Sequence, residues 1–355
     1  MKFGDKKISR RKLLGTAAGA TAAIPFLHES LPHQGAHDQL ARAAGSEHGA
    51  EGGGGVSSKA HKGAGHRGTV GRVDPRVNGF DPQEILRDYD RGKLVREGGR
   101  TVREFELVAE DKEIEVAPGV KYAAWTYNGR VPGPTLRATE GERVRVKFVN
   151  GSNHPHTIHF HGIHRDLSDG IPGVGVGNVE PGGSTVYEFE AIPFGLHLYH
   201  CHSTPLAEHI AKGLYGAFII DPKKGRPQAD ELVMVMNGFD TNFDLGNEIY
   251  AVNTVAFAYQ DKPVQVKRGQ LVRIYLVNIL EFDLLNSFHT HANFFDFYPT
   301  GTRLEPRDFT DTVVMGQGER GILELRFPFT GKYMFHAHVS EFADLGWMGF
   351  FEVTD

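Results

Sequence analysis

One cysteine among nineteen histidines is the residue on which the chain's chemistry turns. Cys201 lies in GLHLYHCHSTPLAEHIAKGL, residues 195–214, with His200, His202 and His209 around it. Leu196, Leu198 and Tyr199 mark the stretch as extended, and successive side chains of extended chain point to opposite faces. His200 and His202 therefore share one face and Cys201 takes the other. A thiolate with two imidazoles and a weak or absent axial ligand is the blue-copper electron-transfer set. Cys201 and His209 supply two of those three ligands. HPHTIHFHG, residues 154–162, offers the third, because the same parity sets His156 apart from His159 and His161. His156 then pairs with Cys201 and His209, while His159 and His161 join His200 and His202. The pairs His289 with His291 and His336 with His338 bring the second set to eight imidazoles directed at one place.

From about residue 100 onward these motifs, HxxHxH, two HxH pairs and HCH, resemble the multicopper oxidases, specifically their two-domain, laccase-like branch. That resemblance implies a type 1 copper at His156, Cys201 and His209 and a trinuclear cluster elsewhere. His159 and His289 correspond to its type 2 ligands, and His161, His200, His202, His291, His336 and His338 to its type 3 ligands. Four coppers per chain are implied. So is a homotrimer, in which domain one of one subunit and domain two of the next share each cluster; the sequence also permits a cluster within one chain. The activity implied is one-electron oxidation of a phenol, aromatic amine or metal ion coupled to four-electron reduction of O2 to water. Electrons would pass from Cys201 into His200 and His202. Asp169, in HGIHRDLSDG, matches an acidic residue that helps deliver protons in laccase-like enzymes, and it also stands in an Asp-Gly turn signal.

The elements that must hold these residues are strands. Runs such as RVRVKFVN (143–150) and STVYEFEA (184–191) alternate between Gly and Pro turns, a pattern of sandwiches or Greek-key barrels. The pattern also repeats. RVRVKFVN answers LVRIYLVN (271–278), and PGGSTVYEFEAIPFGLHLYHCH (181–202) answers GQGERGILELRFPFTGKYMFHAH (316–338). The expected fold is all-β, two tandem cupredoxin-like domains at 101–222 and 223–355, with the break in Asp221-Pro222-Lys223-Lys224-Gly225. In the second copy Ala337 stands at the Cys201 position, Asn286 at the His156 position and Leu345 at the His209 position, so only domain one can build a blue-copper site. Leu214, five residues after His209, occupies the usual axial position and predicts a relatively high potential, since the axial ligand tunes it.

At 355 residues, with 40% hydrophobic residues and a net charge of -5, the chain is an ordinary globular sequence with no bias toward nucleic acid or anionic membrane. One cysteine rules out an internal disulfide. Residues 1–43 read as a twin-arginine export signal: Ser9-Arg10-Arg11-Lys12 precedes an apolar run from Leu13 to Leu27, with Ala41-Arg42-Ala43 as an A-x-A cleavage site. The run is short for a membrane span, and the expected location is periplasmic or secreted. Residues 44–100 read as a flexible His/Gly-rich linker and a lead-in, the latter with Asp81-Pro82 as a helix start and expected to pack on domain one. His154, His164 and His197 are left over as structural or surface histidines. The nearest rival reading is a copper nitrite reductase, but an acid there replaces His159, and the residue after its cysteine is not histidine. A non-catalytic copper-binding or electron-transfer protein is the other, and it has no use for eight further imidazoles.

Overall fold

The computed structural model describes residues 71–355, which belong to one compact unit. The stretches expected to form an export signal and a histidine-rich linker, within residues 1–70, lie outside the described residues. The described residues form strands where the alternating runs predict them, together with longer ones such as Arg100–Ala117. In Arg143–Asn150 the buried and less buried residues alternate along the strand, as a strand with one face on a core requires.

Domain one packs two sheets. The first runs Tyr89–Asp90, Thr135–Thr139, Tyr215–Asp221, Gly195–His200, His159–Phe160, and the second Lys93–Glu97, Arg100–Ala117, Arg143–Asn150, Ser184–Glu190, with Val120–Tyr127 paired to Arg100–Ala117. Between them sits a core of Phe105, Leu107, Val146, Phe148, Tyr187 and Phe218 that also takes in Cys201 and Leu214. Domain two repeats the plan with a six-stranded sheet and a five-stranded sheet. In the five-stranded sheet Leu285–Thr290 pairs with Gly331–His336, bringing His289 opposite His336. The matching pair in domain one sets His159 opposite His200.

A third apolar cluster joins the domains. Leu196, Leu198 and Ile219 of domain one meet Val233, Val235, Tyr275, Val277 and Ile322 of domain two, all nearly or fully buried. Asp230–Phe239 and Val272–Asn278 pair in parallel and are buried on both faces, one on the domain-two core and one on this seam. Each fully buried aliphatic side chain is worth roughly 1.5–3 kcal/mol, so the two domains hold together as one body. Beside the seam, Arg137 bonds Asp221 and Glu231, and Arg273 bonds Glu231 and Glu324, so that Glu231 bridges the two guanidinium groups.

The lead-in departs from expectation. Asp81 does cap a short helix, Pro82–Ile85, through the Gln83 N–H. The segment does not pack on domain one alone, however. Leu86 lies in the domain-two core, its carbonyl accepts the Val233 N–H, and Arg87 pairs with Asp230. Ile85 enters the seam between domains, and the residues that follow add Tyr89–Asp90 and Lys93–Glu97 to the two sheets of domain one. Its apolar positions are adjacent in sequence, and extended or single-turn chain turns Ile85 and Leu86 toward different cores.

Candidate metal centres

The strand Gly195–His200 ends one residue before Cys201, and the parity of extended chain continues through it. On one side Cys201 Sγ lies 3.2 Å from His209 Nδ1 and 3.8 Å from His156 Nδ1, and the two Nδ1 atoms are 3.1 Å apart. His209 comes from the helix Leu206–Ala211, and His156 from the bridge that it forms with Val179. All three residues are buried. Their orientation is fixed from behind: Ser152 Oγ lies 2.8 Å from His156 Nε2, and the Thr157 N–H donates to Sγ at 3.3 Å. Such outer contacts hold ring tautomers and sulfur lone pairs in place.

Burial pulls the imidazole pKa of His156 down to about 3 and that of His209 to about 4, so both rings are neutral donors near pH 7. Burial also pushes the Cys201 thiol up, so thiolate formation there depends on a bound cation. A thiol and two converging Nδ1 atoms suit a soft, redox-active ion, and copper fits this donor set. Leu214 is fully buried in the same cluster as Cys201, and its carbonyl accepts the Cys201 N–H at 2.9 Å. Leu214→Met is expected to lower the midpoint potential of the loaded site by supplying a thioether where an aliphatic side chain stands. Spectroelectrochemical titration of the blue band reads this, and an unchanged or raised potential contradicts it.

On the opposite side, His159, His161, His200 and His202 form a quartet of rings. His161 Nε2 and His200 Nε2 are 2.9 Å apart, and the His200 and His202 rings stack at 5.7 Å. Two outward nitrogens are tied down: His159 Nδ1 meets the Asp169 carbonyl at 2.9 Å, and His200 Nδ1 the Cys201 carbonyl at 2.7 Å. Domain two reproduces this almost atom for atom. His291 Nε2 and His336 Nε2 lie 3.0 Å apart, His289 Nδ1 meets the Asp311 carbonyl at 3.0 Å, and His336 Nδ1 the Ala337 carbonyl at 2.6 Å. Burial lowers the imidazole pKa of His161 to about 3 and that of His200 to about 4.

The eight imidazoles do not converge within one chain. Every ring contact among them stays inside its own quartet. The domain-two quartet is the more open, with His291 and His338 exposed. Parity along a strand fixes which side chains share a face. It does not fix which faces of two folded domains meet.

Asp169 stands both in a turn and beside the quartet. Gly170 after it has φ +71 and passes so close to Ile158 that a Cβ there would meet the carbonyl oxygen at 2.1 Å, which is a turn that glycine must fill. The Asp169 carboxylate nevertheless lies 3.0 Å from His159 Nδ1 and 3.4 Å from His164 Nε2. His164 is therefore not a bystander but flanks the quartet, 5.1 Å from the His159 ring. His197 is structural, its two ring nitrogens facing the carbonyls of His161 and Pro193. His154 lies against Trp125, a residue that sequence pattern did not single out because it sits on a distant strand.

In domain two the position of the thiolate site is filled. The Ala337 N–H donates to the Trp347 carbonyl as the Cys201 N–H does to Leu214, so Trp347 stands where Leu214 does. Its indole is fully buried against Phe288 and Phe335, with Asn286 also fully buried. Among the described residues one further acidic group, Asp240, Asp244 and Glu248, is held by its own loop's N–H donors.

Two profiles described as multicopper oxidase match residues 108–225 and 226–355. A crystal structure of a multicopper oxidase is 60% identical, with a TM-score of 0.78, over 79% of this chain and 100% of that one. The blue copper oxidase of Nitrosomonas europaea is 30% identical with a TM-score of 0.64, over 71% of this chain and 86% of that chain. A copper-containing nitrite reductase of Neisseria meningitidis serogroup A / serotype 4A is 31% identical over 72% of this chain and 68% of its own length. With both cupredoxin-like domains matched and the thiolate and imidazole sets on one strand end, the chain belongs to the multicopper oxidase family.

Proposed function

We propose that this protein is a laccase-like oxidase, taking single electrons from a phenol, aromatic amine or reduced metal ion and using four of them to reduce O2 to water. The observation that carries the reading is the tripeptide His200-Cys201-His202: its sulfur faces His156 and His209 while its two imidazoles belong to the quartet. One copper on the thiolate side and three among the imidazoles complete the proposal. When bound, copper supplies one-electron redox chemistry at the thiolate and oxygen binding and reduction at the imidazoles.

The chain's own residues do the rest. Cys201 is bonded through the backbone to both quartet rings, and the His200 Nδ1 hydrogen bond to the Cys201 carbonyl makes a second link between them. Asp169 holds the Nδ1 proton of His159 and so keeps its Nε2 free to face inward. Thr312 Oγ1, itself bonded to the Asp311 carboxylate, supports the Asp311 carbonyl in doing the same for His289. The separation lets a donor be oxidised at the thiolate side while oxygen reacts elsewhere.

Two half-sites that do not meet within a chain favour assembly. We infer a homotrimer in which the quartet of His159, His161, His200 and His202 faces the quartet of His289, His291, His336 and His338 on the next subunit. Leu284, Leu285 and Val314, 91%, 53% and 62% exposed at one edge of the five-stranded sheet of domain two, supply apolar surface for that contact. The twin-arginine pattern of residues 1–43 supports a location in the periplasm or outside the cell.

Nitrite reduction is the rival favoured by the Neisseria relative. Oxygen uptake with 2,6-dimethoxyphenol is expected at one O2 per four phenols oxidised, with no nitric oxide formed from nitrite. Nitric oxide release without oxygen uptake would make the protein a nitrite reductase, and neither reaction would leave a copper-binding protein.

A further inference from the structure

Both imidazoles of the thiolate site are closed to solvent: His156 is 0% and His209 3% exposed. The far nitrogen of His156 is in addition taken by Ser152. A donor touching the protein surface therefore meets other residues first. Trp125 packs against both imidazoles. Its indole lies 5.1 Å, centroid to centroid, from the His156 ring and 4.8 Å from the His209 ring, and on its outer side 4.6 Å from the exposed ring of His154.

The wedge is held from both sides. The Trp125 N–H donates to the Lys212 carbonyl, just past the helix that bears His209. Directly across the ladder from Trp125 stands Asp111, whose carboxylate accepts from the Asn153 N–H at 3.1 Å and from its side-chain amide at 2.8 Å. Asp111 thereby pins the loop that carries His154. Three rings touch between surface and ligand pair: His154 reaches His156 directly at 6.4 Å, and by the shorter contacts of 4.6 Å to Trp125 and 4.8 Å from Trp125 to His209 it reaches the pair through the indole.

We propose that Trp125 and His154 form the electron inlet of the thiolate site: a small donor docks against His154, and its electron tunnels through the indole to His156 and His209. This rests on the reading of His156, Cys201 and His209 as a blue-copper site. The donor loses one electron and the cupric ion gains it, so Trp125 begins and ends the step unchanged. Tunnelling rates fall exponentially with the gap between donor and acceptor, and the indole closes that gap to ring contacts of 4.6 and 4.8 Å where the direct approach of His154 to His156 is 6.4 Å.

The test is anaerobic stopped-flow reduction of the copper-loaded protein, following loss of the blue band with hexacyanoferrate(II) and with 2,6-dimethoxyphenol. Trp125→Leu is expected to slow the second-order reduction by about tenfold or more, with the position of the band and the midpoint potential unchanged, while Trp125→Phe keeps most of the rate. A rate for Trp125→Leu within about twofold of wild type, with the band intact, overturns the inlet. Should leucine disturb the band, His154→Ala is read the same way, since its ring lies outside the thiolate cage: slowing supports the inlet and an unchanged rate overturns it. A second reading needs no turnover. Cupric ion added to metal-free protein should quench the share of tryptophan emission that Trp125→Phe lacks, and unquenched emission from that share contradicts the placement. A wild-type protein that shows no blue band with copper bound removes the underlying site, which is a different failure from an intact band with an unaltered rate.

Discussion

Cys201→Ser is expected to abolish the blue absorption and to cut donor oxidation on the order of a thousandfold, which corresponds to about 4 kcal/mol of transition-state stabilisation. The fold should survive. Serine is slightly smaller than cysteine, and its hydroxyl can accept the Thr157 N–H that now points at Sγ from 3.3 Å. What is lost is the soft thiolate, which no other residue can replace because the chain has only one cysteine. The His200 and His202 rings keep their places, since these are set by the strand and by the Cys201 carbonyl rather than by its sulfur. The variant should therefore still bind copper at the imidazoles while failing to pass electrons to them. Visible and paramagnetic resonance spectra together with oxygen uptake separate these effects. A variant that stays blue, or that oxidises donors at near the wild-type rate, would remove Cys201 from the electron path.

How far the sequence reaches can be judged residue by residue. Strand alternation is a local rule with a period of two, and it was enough to predict that His200 and His202 share a face turned away from Cys201, as the 5.7 Å ring stack and the 3.2 Å sulfur contact have it. Alignment of the two repeats, with Ala337 at the Cys201 position, leaves domain two without a thiolate. It could not say what fills the gap, and Trp347 does so from a position that only the backbone bond of Ala337 identifies. Nor could it find Ser152 and Trp125. These reach the thiolate site through loop closure and a ladder register, Asp111 opposite Trp125, that no single segment encodes. The packing of the lead-in is beyond local sequence for a similar reason. Burial of Ile85 in the seam and of Leu86 in the domain-two core depends on surfaces more than a hundred residues away.

The proposed ring makes the second large prediction, because it assigns the two quartets of one cluster to different chains. A chain carrying His161→Ala and His200→Ala, and another carrying His291→Ala and His336→Ala, should each be inactive in oxygen reduction alone. Co-expressed and co-purified as mixed trimers, they should regain activity. A cluster is intact wherever an undamaged domain one faces an undamaged domain two, and a closed trimer that holds both chains has one such junction in three, so about a third of the clusters are intact. If instead each cluster is built within one chain, every cluster in the mixture carries two lost ligands and activity stays at the level of the parents. The geometry sets the expectation. His291 Nε2 and His336 Nε2 are 3.0 Å apart on an open face, no ring contact joins them to the domain-one quartet, and the seam between the domains is closed by apolar residues such as Leu196, Leu198 and Ile322 rather than by imidazoles. Oxygen uptake by mixtures of known composition measures the outcome, and a recovery near zero in proven mixed trimers would break the ring arrangement while leaving the thiolate site untouched.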